Sequence, residues 1–257
     1  MDNVKLIIMD LDGTLLDNNK NVSPFNISVL DRCKRNGIKI AIATARSTKA
    51  AKRIIELIKP DFCILNDGAL ILNNKYDIIH GKFISKETVN ALINECIFNK
   101  PDIEHITVET KNEFYRTYTD LYHEDWNYGL LYDFSNPLNK EAYKISIGTQ
   151  IENMAIEIAN KFNECKIIYN MGEPFYRFIH KGVGKMYAIE IISEKFNISI
   201  SDIITFGDDY NDIEMVEKCG IGIAMENGLD LVKNVSKYVC KNNNEDGVGL
   251  WINANIL

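Results

Sequence analysis

The chain has no C-x-x-C pair, no surplus of basic residues, no bilayer-length apolar run and no internal repeat, and each absence removes a class of function. Its six cysteines (Cys33, Cys63, Cys96, Cys165, Cys219, Cys240) are scattered, and its four histidines complete no zinc pattern. Thiols spaced this way are expected as buried, reduced side chains of a cytoplasmic protein. With 29 basic against 36 acidic residues the net charge is −7, so no nucleic-acid partner is expected. No stretch of about 18 apolar residues occurs, so no membrane span is expected. The N-terminus carries Asp2 and Lys5 and runs straight into a strand pattern, which is not the layout of a signal peptide. Gly182-Val183-Gly184-Lys185 suggests a nucleotide-binding phosphate loop, but Ile179 stands where the first glycine belongs and Met186 where a hydroxyl belongs. A dinucleotide fingerprint is missing as well.

What is present is a chain of 257 residues, 46% hydrophobic, enough for one large domain or two modest ones. The run Val4–Met9 reads as a buried strand. Ser23-Pro24 reads as the N-cap and first position of a helix that Gly37 stops. Residues Ile38–Thr44 give a second strand, Ser47–Ile58 a helix, and Phe62–Leu65 a third strand. This alternation is the pattern of a parallel sheet with right-handed crossovers. After about residue 80 the rhythm changes. Helices are expected at Glu87–Phe98 and Asn153–Phe162, strands at Tyr143–Ile147 and Phe175–Ile179, with weak alternation over 106–118. The first rhythm returns with a helix at Lys185–Phe196, a strand at Ile203–Phe206, a helix at Asn211–Lys218, and short strands at Ile221–Ala224 and Tyr238-Val239. The fold class expected is therefore α/β: a Rossmann-like parallel-sheet core (residues 1–80 and 181–257) with an inserted α+β cap domain (81–180).

Chemistry-bearing residues gather at the expected strand ends. Asp10-Leu11-Asp12-Gly13-Thr14-Leu15 follows the first strand, and two acids at a strand's carboxyl end are costly unless a metal or a reaction uses them. Ala43-Thr44-Ala45-Arg46 ends the second strand with a hydroxyl and backbone N–H groups that favour anions. Lys185 opens a helix, and Gly207-Asp208-Asp209-Tyr210-Asn211-Asp212 follows another buried strand. Carboxylates with few nitrogens point to a hard cation such as Mg²⁺. A carboxylate can act as nucleophile and form an aspartyl-phosphate, and a second acid can protonate the leaving oxygen and then activate water. Phosphoryl transfer is the chemistry these groups suit.

These motifs, in this order, resemble the haloacid dehalogenase superfamily of aspartate-nucleophile phosphatases, and more closely its Cof-type members with a large α/β cap. Lys181-Gly182-Val183-Gly184-Lys185, Asn66-Asp67-Gly68-Ala69, Ala224-Met225-Glu226-Asn227-Gly228 and Asp246-Gly247-Val248 fit the same pattern. The resemblance implies Asp10 as nucleophile and Mg²⁺ ligand. It implies Asp12 as general acid/base and as a Mg²⁺ ligand through its backbone carbonyl, with Asp208 as third protein ligand and Asp212 in support of the metal. Thr44, Lys185 and Asn211 would hold the phosphoryl group, with the backbone N–H groups of Leu11 and Ala45. The substrate implied is a small phosphorylated metabolite: a sugar phosphate, a nucleotide, pyridoxal phosphate or flavin mononucleotide. The cap would close over it and choose the leaving group.

Three departures stand out: Ala45 where the family has Gly, an added Asp in Asn66-Asp67-Gly68, and Gly184 where Ser is common. A phosphotransferase such as a phosphomutase on the same core is an alternative, and so is a metabolite-binding protein without turnover. Oligomeric state is not written in these motifs. The aromatics Phe114, Tyr115, Tyr118, Tyr122, Trp126, Tyr128, Tyr132 and Phe134 read as packing of the inserted domain ahead of a substrate-facing wall.

Overall fold

Hydrophobic runs bounded by acids, glycines and prolines become strands, and amphipathic stretches between them become helices. The computed structural model describes residues 4–118, 129–169 and 174–257. Asp2, Tyr122, Trp126 and Tyr128 lie outside the described residues.

In chain order the first elements are β1 (Leu6–Met9), α1 (Pro24–Arg35), β2 (Lys39–Ala43), α2 (Thr48–Ile58), β3 (Phe62–Leu65), β4 (Leu70–Asn73) and β5 (Ile78–Gly81). Next come α3 (Lys86–Phe98), β6 (His105–Glu109), β7 (Phe114–Arg116), β8 (Leu130–Leu131), β9 (Lys144–Gly148), α4 (Glu152–Lys161), β10 (Cys165–Tyr169) and β11 (Phe175–His180). The chain ends with α5 (Lys185–Phe196), β12 (Ile203–Gly207), α6 (Ile213–Lys218), β13 (Ile221–Met225), α7 (Asp230–Val235), β14 (Tyr238–Cys240) and α8 (Gly247–Asn255). The chain divides into two compact units, residues 1–80 with 184–257 and residues 81–183.

The first unit is built on a sheet of order β14-β13-β12-β1-β2-β3-β4-β5. The strands from β14 to β3 are parallel, and β4 turns back antiparallel to β3, so the sheet is mixed at that edge. Strands β1 and β3 are buried along their whole length, as parallel strands with covered faces must be. The helices start where the side chains dictate. The Ser23 hydroxyl accepts from the Asn26 N–H at 3.0 Å with Pro24 in the first turn, and Ser47 accepts from the Ala50 N–H. One core cluster joins Leu6, Ile8, Ala41 and Ile64 of the sheet to Ile189 and Ile192 of α5 and Met215 of α6.

The second unit holds a sheet of order β10-β11-β9-β6-β7-β8, antiparallel except between β7 and β8. One face packs Ile106, Val108, Ile145, Ile147 and Phe178 against Val89 and Leu92 of α3 and Ala155 and Ile158 of α4. Tyr115 and Phe134 belong to this core, and Tyr132 packs edge-on to both at 5.7 and 5.2 Å. Packing therefore accounts for these three aromatics. The register aligns Arg116, Thr107, Ser146 and Arg177 in one row across four strands on the opposite face. Beside that row the Glu109–Lys144 ion pair, at 2.8 Å, is almost fully buried.

All six cysteines are free and buried. Burial pushes the thiols up, Cys33 to about 11 and Cys63 to about 12, so none is a reactive thiolate at neutral pH. Among the described residues no helix is long and apolar enough to cross a membrane.

Candidate active site

The parallel order β12-β1-β2-β3 brings four strand ends side by side, and the candidate residues leave the sheet there. Asp10 follows β1, Thr44 follows β2, the Asn66–Gly68 turn follows β3, and Asp208 follows β12. Lys185 is the first residue of α5, and its side chain is completely buried.

The centre is ionic. Lys185 Nζ donates to Asp10 Oδ1 and to Asp212 Oδ1, each at 2.6 Å. Carboxylate oxygens of Asp10, Asp208 and Asp212 all lie within 4.8 Å of one another. Burial raises the Asp10 carboxyl well above the usual carboxylate range; Lys185 pulls it down, while Asp212 and Asp208 push it further up. Burial, then the Asp212 charge, pushes Asp208 up to about 7. Burial opposes the Lys185 charge, but Asp10 and Asp212 outweigh it and hold the ammonium protonated. Three buried carboxylates facing one lysine leave excess negative charge. All donors of the cluster are hard oxygens, so a divalent cation fits it.

Neighbouring residues fix these carboxylates. The Thr14 hydroxyl donates to Asp208 Oδ1 at 2.6 Å. Gly13 sits at φ +80°, and a Cβ there would lie 2.2 Å from Asp208 Oδ2, so only glycine allows the Asp10–Thr14 loop this close to Asp208. Asp212 Oδ2 accepts from the backbone N–H groups of Asp208 and Asp209 at 3.0 and 3.2 Å. With its other oxygen on Lys185, Asp212 organises the cluster. Turning its side chain back in this way splits the helix expected at Asn211–Lys218 into a single 3₁₀ turn, Tyr210–Asp212, followed by α6.

Asp12 stands apart. Its carboxylate is outside the acidic cluster and forms a two-pronged pair with Arg46, whose Nε and Nη2 each lie at 2.7 Å, while Lys20 Nζ adds a contact at 2.9 Å. Burial works against it, but the Arg46 and Lys20 contacts outweigh burial and lower the Asp12 carboxyl. The Asp12 carboxylate is thus held by cations and takes no part in the acidic cluster.

The residues expected to hold an anion occupy the next loops. Thr44 is buried and its hydroxyl accepts from the Arg46 N–H at 3.1 Å, which leaves its own proton to donate. Leu11 is buried between the two acids. Ala45 has no positive φ, so a methyl group fits where glycine is usual. Asn211 does not stand alone: its Nδ2 donates to Asp67 Oδ1 at 2.9 Å. Reading the sequence missed the partners Arg46, Lys20, Thr14 and Asp67. Asp67 had left a trace as the added acid in its loop, and Arg46 stood in a quoted motif without a role.

Known proteins resemble this chain along its length. The family model for haloacid dehalogenase-like hydrolases covers residues 7–252. A 5-amino-6-(5-phospho-D-ribitylamino)uracil phosphatase of Bacillus subtilis is 26% identical over 248 residues, 95% of this chain and 93% of that one. A phosphatase of the same description from Escherichia coli is 24% identical over 95% of this chain and 93% of its own. Among solved structures, a haloacid dehalogenase-like hydrolase from Bacteroides thetaiotaomicron superposes with a TM-score of 0.83 at 22% identity, covering 98% of this chain and 99% of that chain. A subclass IIB sugar phosphatase gives 0.84 at 23%, covering 98% of each. The chain belongs to the haloacid dehalogenase-like hydrolase family, within its phosphatases.

Proposed function

We propose that this protein is a Mg²⁺-dependent phosphatase of small phosphorylated metabolites that works through an aspartyl-phosphate on Asp10. The observation that carries this reading is the buried Asp10–Lys185–Asp212 chain beside Asp208 at adjoining strand ends. An Asp10 oxygen attacks phosphorus, and the ester oxygen leaves with the electrons of its bond and takes a proton from Asp12. Asp12, again a carboxylate, then removes a proton from the water that attacks the phosphorus of the intermediate. Arg46 and Lys20 set Asp12 as a base at rest, so its turn as an acid requires at least one of those contacts to loosen. Lys185 spends two of its three N–H groups on Asp10 and Asp212 and has the third for a phosphoryl oxygen. Thr44 and Asn211 supply further donors. Asp10, Asp208 and the Asp12 carbonyl would hold Mg²⁺, which would supply positive charge against the phosphoryl oxygens.

One feature supports the substrate class: relatives are named as phosphatases of a phosphorylated ribityl compound or of sugars. The buried free thiols support a reducing, cytoplasmic setting. The test is phosphate release from a panel of phosphorylated sugars, nucleotides and cofactors, with Mg²⁺ and with chelator. Mg²⁺-dependent release without an acceptor is the expected result. Transfer seen only when an acceptor sugar is present sinks the hydrolase reading.

The site also sets a pH dependence. In the metal-free protein the Asp10 and Asp208 carboxyls are raised above their unfolded values, so the folded state keeps protons that the unfolded chain releases. The stabilising contribution of Asp208 is complete below about pH 4 and is lost as pH rises through about 7, and that of Asp10 is lost in the same direction, well above the ordinary carboxylate range. Asp12 shifts the other way, and its contribution fades only in acid below the ordinary carboxylate value. In chelator, the melting temperature should fall by roughly 5 °C between pH 5.5 and 8. Added Mg²⁺ should raise it more at pH 8 than at pH 5.5, because the ion must displace those protons. Equal stabilisation by Mg²⁺ at both pH values in calorimetry would argue that these acids do not hold the ion.

A further inference from the structure

The turn after β3 touches the Thr44–Arg46 loop, the start of α5 and Asn211. The Asn66 N–H donates to the Arg46 carbonyl at 3.0 Å and the Asp67 N–H to the Thr44 carbonyl at 3.1 Å. Gly68 packs so close to the start of α5 that a Cβ would lie 2.2 Å from the Gly184 carbonyl oxygen and 3.1 Å from the Lys185 nitrogen. Asn66, Asp67 and Gly68 have φ of 51°, 56° and 95°, and two consecutive non-glycine residues in the left-handed region are held there only by such surroundings. Within this turn the Asp67 side chain is 1% exposed, and its Oδ1 accepts from Asn211 Nδ2, 144 residues away in sequence.

We infer that Asp67 is a positioning residue for phosphoryl binding, whose carboxylate fixes the Asn211 carboxamide so that its second N–H is presented to a phosphoryl oxygen. This rests on the phosphatase reading. An amide has two donors on one end and an acceptor on the other, and an uncharged partner can satisfy either end. A carboxylate only accepts, so it selects one orientation of Asn211. One N–H then points at Asp67 and the other is held in the same plane. An asparagine at 67 could accept from Asn211 as Asp67 does, but it could also donate to Asn211 Oδ1 and let the carboxamide turn over. The added acid in this loop, which first stood out as a departure, thus acquires a function. It also puts a negative charge near an anion site, and such a charge is tolerable where it orders a donor that binds the anion.

The experiment is a double-mutant cycle read by calorimetric binding of inorganic phosphate in the presence of Mg²⁺. Asp67→Ala should weaken phosphate binding about 10-fold, and Asp67→Asn by about threefold, a partial rescue by the conservative variant. Asn211→Ala should weaken it at least as much as Asp67→Ala, and the double variant no further than Asn211→Ala alone. A merely structural Asp67 gives effects that multiply in the double variant, and that outcome overturns the inference. So does unchanged phosphate affinity in Asp67→Ala, or a wild type that binds no phosphate. Asp67→Ser, one bond too short to reach Asn211, takes its place in the cycle where the alanine variant does not fold. Phosphate release from esters by the wild type decides the phosphatase reading separately: a wild type that binds phosphate but releases none from any ester overturns that reading and leaves the cycle interpretable.

Discussion

Asp10→Asn should lose at least about 10⁴-fold in kcat, a barrier increase of about 5 kcal/mol, while keeping its fold and stability. An amide oxygen is a poor nucleophile, and the two other carboxylates of the cluster cannot take over the attack. Asp212 has both oxygens committed, one to Lys185 and one to two backbone N–H groups, and Asp208 is tied to Thr14. The variant should keep its structure. Burial already lifts the Asp10 carboxyl far above its ordinary range, so the metal-free site resists carrying that charge. Asn keeps the shape and an oxygen able to accept from Lys185. The variant should therefore melt at or above the wild-type temperature at pH 8 without metal. Single-turnover trapping with a labelled ester should show labelled acyl phosphate in wild type and none in the variant. Label on the variant, or residual turnover within about a hundredfold of wild type, would remove Asp10 from the nucleophile's place.

The sheet of the first unit was legible because its parallel strands are short, unbroken apolar runs that end in acids, glycine or proline. Phe62–Leu65 and Lys185–Phe196 agree with the observed β3 and α5 to the residue. What was not legible depends on contacts far along the chain. Strand β4 reverses direction because the Asn66–Gly68 turn runs through three positive φ values, and only glycine announces that in a sequence. Helix α8 begins Gly-Val-Gly, a poor helical start, and is held by the Gly249 N–H donating to Asn26 Oδ1 at 2.8 Å on α1. The site divides the same way. Residue types that do chemistry are visible one at a time, whereas their partners are not. Arg46 lies 34 residues from Asp12, and Thr14 lies 194 from Asp208. Spacing within a motif cannot encode such pairs; only the strand order β12-β1-β2-β3 brings them together.

Lys185→Met should produce the largest loss of stability, and its pH dependence identifies the cause. The ammonium is the central cation of the acidic cluster, and its side chain has no exposure. Methionine fills a similar volume, so the loss is electrostatic: Asp10 and Asp212 are left facing each other and Asp208 without it. Breaking a buried pair from one side costs about 3–5 kcal/mol, which in a unit of this size lowers the melting temperature by about 10 °C. The carboxylates have an escape, because Asp10 and Asp208 already sit high and rise further once the lysine is gone. Protonation relieves the repulsion, so the deficit should be full at pH 8 and shrink towards pH 5. Mg²⁺ should reduce it at pH 8 by restoring positive charge among the same oxygens. Activity should remain low in every condition, since the ion does not replace the third N–H of Lys185 at the phosphoryl oxygen. Thermal unfolding at the two pH values, with and without Mg²⁺, checks all of this. A deficit that is the same at pH 5 and pH 8 would mean that lost packing, and not the uncompensated carboxylates, sets the stability of the variant.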